Sequence, residues 1–147
     1  MRILIADDHA VVRRALARAL QSEPQIEVVG EASDGRSAVQ QVGALKPDIV
    51  LMDVMMPGSD GVEATRWIAQ QYPATKVIAM SVHCLGPFAR RMLEAGASAY
   101  VLKDGDIKEV LEAIDVIGMG RTYVSAEVTG LGRGSSGPAH RGLLHVG

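Results

Sequence analysis

Acidic side chains follow two apolar runs of this 147-residue chain, and their type and spacing suit chemistry on a charged group. Asp7 and Asp8 come directly after residues 3–6, and Asp53 comes directly after residues 49–52. Two later apolar runs end at Ser81 and Lys103. Carboxylates can hold a hard cation or attack phosphorus, whereas a lysine and a hydroxyl can bind an anion. Each residue also has an ordinary interpretation, as a helix cap, a turn residue or a surface charge.

The elements that must position these side chains alternate regularly along the chain. Apolar runs typical of strands begin near positions 3, 27, 49, 77 and 99, and each is followed by a segment with helical periodicity. This alternation predicts a parallel sheet with helices on both faces. We therefore predict an α/β fold of the flavodoxin-like (βα)5 class, a three-layer sandwich with five parallel strands in the order 2-1-3-4-5. The order follows from this class of fold, because the sequence alone does not specify it.

The first helical segment shows a clear apolar stripe. Val12, Leu16 and Leu20 recur at helical spacing, which predicts that they face the core. On this assignment Arg13 faces away from the core, together with the other arginines of the segment.

Parallel strands bring their carboxyl ends to one edge of the sheet, so the strand-end residues should meet there. If strands 1 and 3 are neighbours, Asp7, Asp8 and Asp53 converge across about one strand spacing, ~5 Å. Carboxylates this close repel one another unless a cation lies among them, and an all-oxygen ligand set suits Mg²⁺. Lys103 and Ser81 would then face the anion that the cation brings. The anion that best fits this set is a phosphoryl group, with Asp53 as the nucleophile.

Three sequence blocks extend this pattern. They are residues 3–9 (Ile-Leu-Ile-Ala-Asp-Asp-His), residues 52–61 (Met-Asp-Val-Met-Met-Pro-Gly-Ser-Asp-Gly) and residues 95–104 (Ala-Gly-Ala-Ser-Ala-Tyr-Val-Leu-Lys-Asp). In order, spacing and residue type they resemble the receiver domain of two-component response regulators, in particular the NarL/FixJ (LuxR-like) type. The resemblance covers about residues 1 to 118.

The resemblance implies a phosphorylation site with a bound metal ion. Asp53 would be the phosphoacceptor, and Asp7 and Asp8 would hold Mg²⁺ or Mn²⁺ together with Asp53. The backbone carbonyl of Met55 would be a further metal ligand. The phosphoryl donor would be a sensor histidine kinase or a small phosphodonor.

The resemblance also implies a switch. Ser81 occupies the position of the switch hydroxyl, Tyr100 that of the switch aromatic, and Lys103 that of the lysine that contacts the phosphoryl group. Two departures from the family pattern stand out. Asp104 follows the lysine where many receivers have proline, and residues 83–88 lack the acidic side chains expected there.

Two other classes of protein share parts of this pattern. A flavodoxin-type FMN carrier needs a Ser/Thr/Gly-rich phosphate loop after strand 1, where this chain has Asp7 and Asp8, and it needs aromatic side chains to stack the flavin. An aspartyl-phosphate phosphohydrolase needs a second acid two residues after the nucleophile, where this chain has Met55. The resemblance to receiver domains implies that the chain is not an enzyme that turns over an external substrate, and that it catalyses only its own phosphorylation and dephosphorylation.

Composition limits the surroundings in which the chain can act. The net charge is −2, so no global basic field attracts the phosphates of a nucleic acid. Cys84 is the only cysteine, which excludes an internal disulfide and favours a reducing compartment. The amino terminus lacks the pattern of a signal peptide, and no apolar run approaches the roughly 20 residues that span a bilayer. These features predict a cytoplasmic, soluble chain without a membrane partner.

The carboxyl-terminal part differs from the rest. Residues 118–147 hold eight glycines and one proline with little apolar periodicity, so we predict a receiver domain over 1–118 and a Gly-rich tail or linker remnant over 119–147. A G-x-G-x-x-G match at 132–137 has no preceding strand and is assigned to chance. Members of the resembled type usually continue into a DNA-binding helix-turn-helix, which is absent here. The main expectation is the receiver part of a DNA-binding transcriptional regulator, with phosphorylation-dependent homodimerisation; the alternative is a stand-alone receiver that acts through protein–protein contacts.

Overall fold

The computed structural model describes residues 1–56, 61–81, 86–103, 107–125 and 143–144. Strands and helices alternate along the chain: β1 (Arg2–Ala6), α1 (Ala10–Gln21), β2 (Glu27–Ala32), α2 (Gly35–Leu45), β3 (Ile49–Asp53), α3 (Gly61–Gln71), β4 (Lys76–Ser81), α4 (Gly86–Ala95), β5 (Ala99–Leu102), α5 (Ile107–Gly118), β6 (Thr122–Val124) and β7 (Leu143–Leu144). The predicted βα alternation is confirmed. Within the described residues, no helix is long and apolar enough to cross a membrane.

The sheet has the order β2-β1-β3-β4-β5-β6-β7. Strands β1 to β5 are parallel and follow the predicted order 2-1-3-4-5. The crossover between β1 and β3 makes these two strands neighbours, with Ala6 opposite Met52. Their carboxyl ends therefore lie side by side, which is the arrangement that a site between Asp7 and Asp53 requires.

Two apolar layers cover the sheet, one on each face. Alternate residues of each strand point to opposite faces, so Val50 and Met52 of β3 pack with α2, α3 and α4, while Ile49 and Leu51 pack with α1 and α5. All residues of β3 are buried. The central strand that carries Asp53 is thus packed on both sides, as a continuous apolar run predicts.

The face that α1 presents to the core differs from the predicted one. Leu20 is fully buried and Leu16 packs against the α1–α5 layer, but Val12 is 42% exposed. Arg13, which was expected to face away, has a side chain only 14% exposed because it is ion-paired to Glu31 of β2. The start of α1 therefore buries Arg13 rather than Val12, because the guanidinium finds a charged partner in Glu31.

The sheet continues beyond Gly118, the predicted end of the receiver domain. β6 pairs parallel with β5, and β7 pairs antiparallel with β6. Tyr123 and Val124 are 1% and 2% exposed, so this short strand belongs to the core. The amide of Tyr123 donates to the carbonyl of Ser98 over 3.1 Å, which continues the sheet ladder. The sequence did not predict this strand, because β6 is only three residues long and lies in a segment whose composition is typical of a linker.

Candidate acidic pocket at the carboxyl edge of the sheet

The ends of β1 and β3 place two carboxylates in the interior. Asp7 directly follows β1 and is 0% exposed, and Asp53 ends β3 and is 2% exposed. The amide of Asp7 donates to the carbonyl of Ala32 over 2.9 Å, which fixes the chain as it leaves β1 next to β2. Asp8 lies nearer the surface, with 23% of its side chain exposed. The three acids therefore lie close together at the edge of the sheet, as predicted.

The pocket has the donor set of a cation site. One ligand atom each from Asp7, Asp8, His9 and Asp53 can be chosen so that all lie within 4.8 Å of one another. Asp7 Oδ2 and Asp8 Oδ1 are both shielded from solvent; Asp7 Oδ2 lies 2.7 Å from the ammonium of Lys103, whereas Asp8 Oδ1 accepts no hydrogen bond from a described residue. Carboxylates held together in a shielded pocket repel one another, and a divalent cation among them would relieve that repulsion. The residues present therefore fit a metal ion.

Lys103 supplies the positive charge of the pocket. Its Nζ lies 2.7 Å from Asp7 Oδ2 and 3.4 Å from Asp53 Oδ2, and its side chain is 9% exposed. Burial alone would lower the pKa of Lys103, but the two carboxylates outweigh burial, so the pKa is raised above its ordinary value and the ammonium stays charged. The Lys103 amide also donates to the carbonyl of Ser81 over 2.7 Å, which ties the end of β5 to the end of β4.

Asp53 is held in an environment that opposes its charge. Burial is the largest influence and raises the pKa of this carboxyl, and the neighbouring Asp7 raises it further. The amide of Met55 donates to Asp53 Oδ1 over 3.0 Å and, with Lys103, lowers the pKa, but the net direction is upward. A cation in the pocket would favour the ionised, nucleophilic form of Asp53.

Ser81 and Tyr100 lie on the two strands beyond Asp53. Asp53 is opposite Met80 in the sheet, so Ser81, the last residue of β4, lies one residue further toward the same edge and is 2% exposed. Tyr100 of β5 is fully buried in the layer formed with α2, α3 and α4. The ring of Tyr100 is thus part of the core in this structure.

Several predicted features lie outside the described residues. They include residues 57–60 and 82–85, Asp104 and the glycine motif of the tail. The functions assigned to Ser81, Tyr100 and the Met55 carbonyl stay predictions, because burial and position do not test them.

The sequence did not predict the contacts that His9 and Arg13 make at the pocket. His9 Nδ1 lies 3.2 Å from Asp8 Oδ1 and 3.4 Å from Asp7 Oδ1. Arg13 donates from a guanidinium nitrogen to the backbone carbonyl of Asp7 over 2.7 Å, while its Nε donates to Glu31 Oε1 over 2.8 Å. The sequence gives one indication of the Arg13 contact, which is that Arg13 lies four residues after His9 on an amphipathic helix. An ordinary surface arginine fits that position equally well.

The fold and the pocket together define a class of protein: doubly wound α/β domains with an acidic, cation-ready pocket and a lysine at the carboxyl edge of the sheet. The chain belongs to the response regulator receiver domain family, whose sequence profile it matches over residues 3–115. It is thus a receiver domain of the two-component signalling systems.

Relatives of known name agree with this assignment. The chain is 41% identical over 129 residues to the transcriptional regulatory protein DegU of Brevibacillus brevis, covering 88% of this chain and 55% of DegU. It is 40% identical over 128 residues to the response regulator GacA of Pseudomonas viridiflava, covering 87% of this chain and 60% of GacA. The chain therefore spans little more than half the length of these relatives.

Solved structures show the same fold. A LuxR-family two-component response regulator from Aurantimonas sp. SI85-9A1 superimposes with a TM-score of 0.84 at 39% identity, covering 88% of this chain and 92% of that one. The response regulator domain of CheB from Thermotoga maritima gives a TM-score of 0.73 at 33% identity, covering 78% and 93%.

Proposed function

We propose that the chain is a signalling switch that accepts a phosphoryl group on Asp53. The observation that carries this proposal is the placement of Asp53 between cation-ready carboxylates and Lys103, within a domain of the receiver family. An oxygen of Asp53 attacks phosphorus, and the bond from phosphorus to the donor breaks as the donor leaves with its electron pair. Phosphoryl transfer needs little from a protein beyond positioning and charge neutralisation, which this pocket supplies.

Each residue of the pocket has a distinct task in this proposal. Asp7, Asp8, Asp53 and the backbone carbonyl of Met55 would hold Mg²⁺ or Mn²⁺, and the metal would neutralise charge on the transferred group. Lys103 holds its ammonium 3.4 Å from Asp53 Oδ2, where it can bind a phosphoryl oxygen. Asp7 keeps Lys103 oriented through their 2.7 Å ion pair. The catalysis is limited to the protein's own phosphorylation and dephosphorylation.

The output of the switch would pass through Ser81 and Tyr100. Ser81 lies at the edge of the sheet next to Asp53, so its hydroxyl can bind a phosphoryl oxygen on Asp53. Tyr100 is on the neighbouring strand, with its ring buried in the layer formed with α2, α3 and α4. We infer that phosphorylation stabilises the inward position of Tyr100 and thereby changes the surface of α4, β5 and α5.

Mass spectrometry of the intact protein tests the phosphorylation site. The chain is incubated with acetyl phosphate and Mg²⁺, and a mass gain of one phosphoryl group is expected. Asp53→Asn should abolish the gain, and Lys103→Met should slow it because the neutralising charge is lost. Asp115→Asn is the matched control, because Asp115 is an exposed acid of α5 and does not belong to the acidic pocket. An unmodified wild-type chain, or a phosphorylated Asp53→Asn chain, would refute the proposal.

The partners follow from the relatives. We infer that a sensor histidine kinase donates the phosphoryl group and that the domain belongs to a transcriptional regulator, because DegU is described as one and this chain covers 55% of it. DNA binding would then require an output domain beyond the chain. The nucleotides directly after the codon of Gly147 test this inference, and codons for a helix-turn-helix domain are expected there.

Oligomerisation gives a second readout of the switch. Treatment with beryllofluoride and Mg²⁺ should shift the chain toward a homodimer in gel filtration. A stand-alone receiver is the second candidate, and an in-frame stop directly after Gly147 would favour it.

A further inference from the structure

Arg13 of α1 connects three elements around the turn that carries the first two acids. Its Nη1 donates to the backbone carbonyl of Asp7 over 2.7 Å, and its Nε donates to Glu31 Oε1 of β2 over 2.8 Å. Only 14% of the Arg13 side chain is exposed. The guanidinium therefore links the end of β1 to α1 and to the neighbouring strand, and its planar fork allows both bonds at once.

The acidic partner of Arg13 is itself fixed by the sheet and by α2. Glu31 lies opposite Ile5 of β1, and its backbone carbonyl accepts a hydrogen bond from the side-chain amide of Gln41 over 2.9 Å. The Glu31 carboxylate also lies 3.4 Å from Nε of Arg14, whose side chain is 69% exposed. The shorter contact is the one to Arg13, so Glu31 holds the guanidinium of Arg13 in place from the side of β2.

The Asp7 carbonyl belongs to the peptide group that joins Asp7 to Asp8. The Asp7 side chain has two further contacts, since Oδ1 accepts from the His9 amide over 2.8 Å and Oδ2 lies 2.7 Å from Lys103 Nζ. Asp8 is less constrained: its Oδ1 lies 3.2 Å from the exposed ring of His9 and accepts no hydrogen bond from a described residue. The orientation of the Asp8 carboxylate therefore depends on its backbone, and Arg13 holds the carbonyl that precedes it.

We propose that Arg13 is a positioning residue for the acidic pocket, acting through the Asp7 carbonyl to orient the peptide that leads into Asp8. It thereby fixes where the Asp8 carboxylate stands relative to that of Asp53. This inference rests on the proposed function, because that function places Mg²⁺ among these acids. The positive charge of Arg13 by itself opposes a cation nearby. Any gain in Mg²⁺ affinity from Arg13 must therefore come from geometry and not from charge.

Isothermal titration calorimetry of Mg²⁺ with the full chain tests the proposal. Arg13→Gln removes the charge and the double contact. Arg13→Lys keeps the charge but lacks the planar fork that reaches Asp7 and Glu31 together. Arg14→Gln is the matched control, because it removes the same charge beside the same glutamate from an exposed side chain. Asp8→Asn should abolish the binding heat and so assigns that heat to the pocket.

The expected result separates geometry from charge. Arg13→Gln and Arg13→Lys should both weaken Mg²⁺ binding by about tenfold, the lower end of the range for groups that orient metal ligands. Arg14→Gln should bind Mg²⁺ like the wild type. A pure charge effect would instead tighten binding in Arg13→Gln and leave Arg13→Lys unchanged. Unchanged or tighter binding in both Arg13 variants, or an equal loss in Arg14→Gln, would overturn the proposal.

A double-mutant cycle shows whether Glu31 acts through Arg13. Glu31→Gln should weaken Mg²⁺ binding in the wild-type background but have little further effect in the Arg13→Gln background. Urea unfolding of each variant gives the free energy of unfolding separately. An ion pair that only stabilises the fold would lower this free energy and leave the Mg²⁺ affinity of the folded protein unchanged, which would overturn the positioning role.

The Mg²⁺ dependence of phosphorylation distinguishes this proposal from the proposed function. With acetyl phosphate as donor, Arg13→Gln should raise the Mg²⁺ concentration that gives half the maximal rate by about tenfold, while the rate at saturating Mg²⁺ approaches that of the wild type. A wild-type chain whose Mg²⁺ binding depends on Arg13 but that gains no phosphoryl group would refute the proposed function and support the role of Arg13. A chain phosphorylated on Asp53 in which both Arg13 variants bind Mg²⁺ like the wild type would refute only the role of Arg13.

Discussion

Asp53 combines a buried position with a charge that its surroundings oppose. Burial and Asp7 raise the pKa of its carboxyl, and the Met55 amide and Lys103 only partly compensate. The unfavourable charge is useful in a switch, because a bound cation or a phosphoryl group can relieve it. The same feature should lower the stability of the metal-free protein.

The substitution Asp53→Asn should stabilise the metal-free protein at pH 7. The folded pKa of Asp53 lies above its ordinary value of 3.8, so wild-type stability falls as pH rises from that value through the folded pKa, where the folded protein must release the proton. Asparagine does not ionise and avoids this loss. Urea unfolding in EDTA should show a gap that is absent near pH 3 and constant above the folded pKa. Exposed Asp115→Asn is the control, and a gap that widens toward acid would contradict the explanation.

Two buried threonines provide a matched test of hydrogen bonding in the core. Thr65 of α3 is 0% exposed and its hydroxyl has no hydrogen-bond partner within the described chain, whereas the Thr75 hydroxyl donates to the Pro47 carbonyl over 2.7 Å. Thr65→Val should raise the free energy of unfolding by about 1 kcal/mol, because it removes an unsatisfied buried hydroxyl. Thr75→Val should lower it by about 1 kcal/mol or more. Chemical denaturation measures both, and equal effects of one sign would contradict this account.

At the scale of elements, the beginning of α3 lies in close contact with the end of β3. A Cβ atom on Gly61 would lie 2.8 Å from the Asp53 carbonyl oxygen and 3.1 Å from that of Val54. Both neighbours are backbone atoms of the segment that carries the proposed phosphoacceptor. The absence of a side chain at this position therefore lets α3 approach the site.

Gly61→Ala should both destabilise the domain and slow its phosphorylation. The added methyl group must displace the backbone next to Asp53, which we expect to cost about 1–3 kcal/mol, as for other overpacked positions. Thermal unfolding and the rate of mass gain with acetyl phosphate measure the two effects. Gly118→Ala is the control, because its Cβ would make only an ordinary 3.6 Å contact with Met1. A wild-type phosphorylation rate in Gly61→Ala would show that α3 does not position the site.

At the scale of the whole molecule, the sheet extends past α5 into β6. Tyr123 and Val124 are almost fully buried, and the amide of Ser125 donates to the Tyr100 carbonyl over 2.9 Å. This hydrogen bond joins the end of β6 to β5, the strand that carries Tyr100, the proposed switch aromatic. The segment after Gly118 thus contributes to the core and lies beside β5.

Chains ending at different residues should show where the domain ends. A chain ending at Gly118 loses the burial of Tyr123 and Val124, and it should be less stable than the full chain by at least about 2 kcal/mol, since a fully buried side chain of this kind contributes about 1.5–3 kcal/mol. A chain ending at Ser125 keeps both side chains and should unfold close to the full chain. Urea denaturation compares the three. Equal stability of the two truncated chains would mean that β6 contributes little.

Much of the fold and the site could be predicted from the sequence because both depend on local patterns. Apolar runs alternating with helical periodicity predicted β1 to β5 and the helices between them, and acids at strand ends predicted which side chains would meet. Convergence follows from parallel strands, since all their carboxyl ends share one edge. The position of Asp53 at the carboxyl edge of the sheet could therefore be predicted from the sequence.

Only the tertiary structure decided the features that arise from contacts distant in sequence. Arg13 turns inward because Glu31 of a neighbouring strand pairs with it, and β6 joins the sheet because the edge of β5 offers unpaired backbone groups. The approach of His9 to the carboxylates and the 2.7 Å ion pair between Lys103 and Asp7 also required the folded chain. Periodicity indicates which face of an element is apolar, but partners for a buried charge or a strand edge exist only after folding.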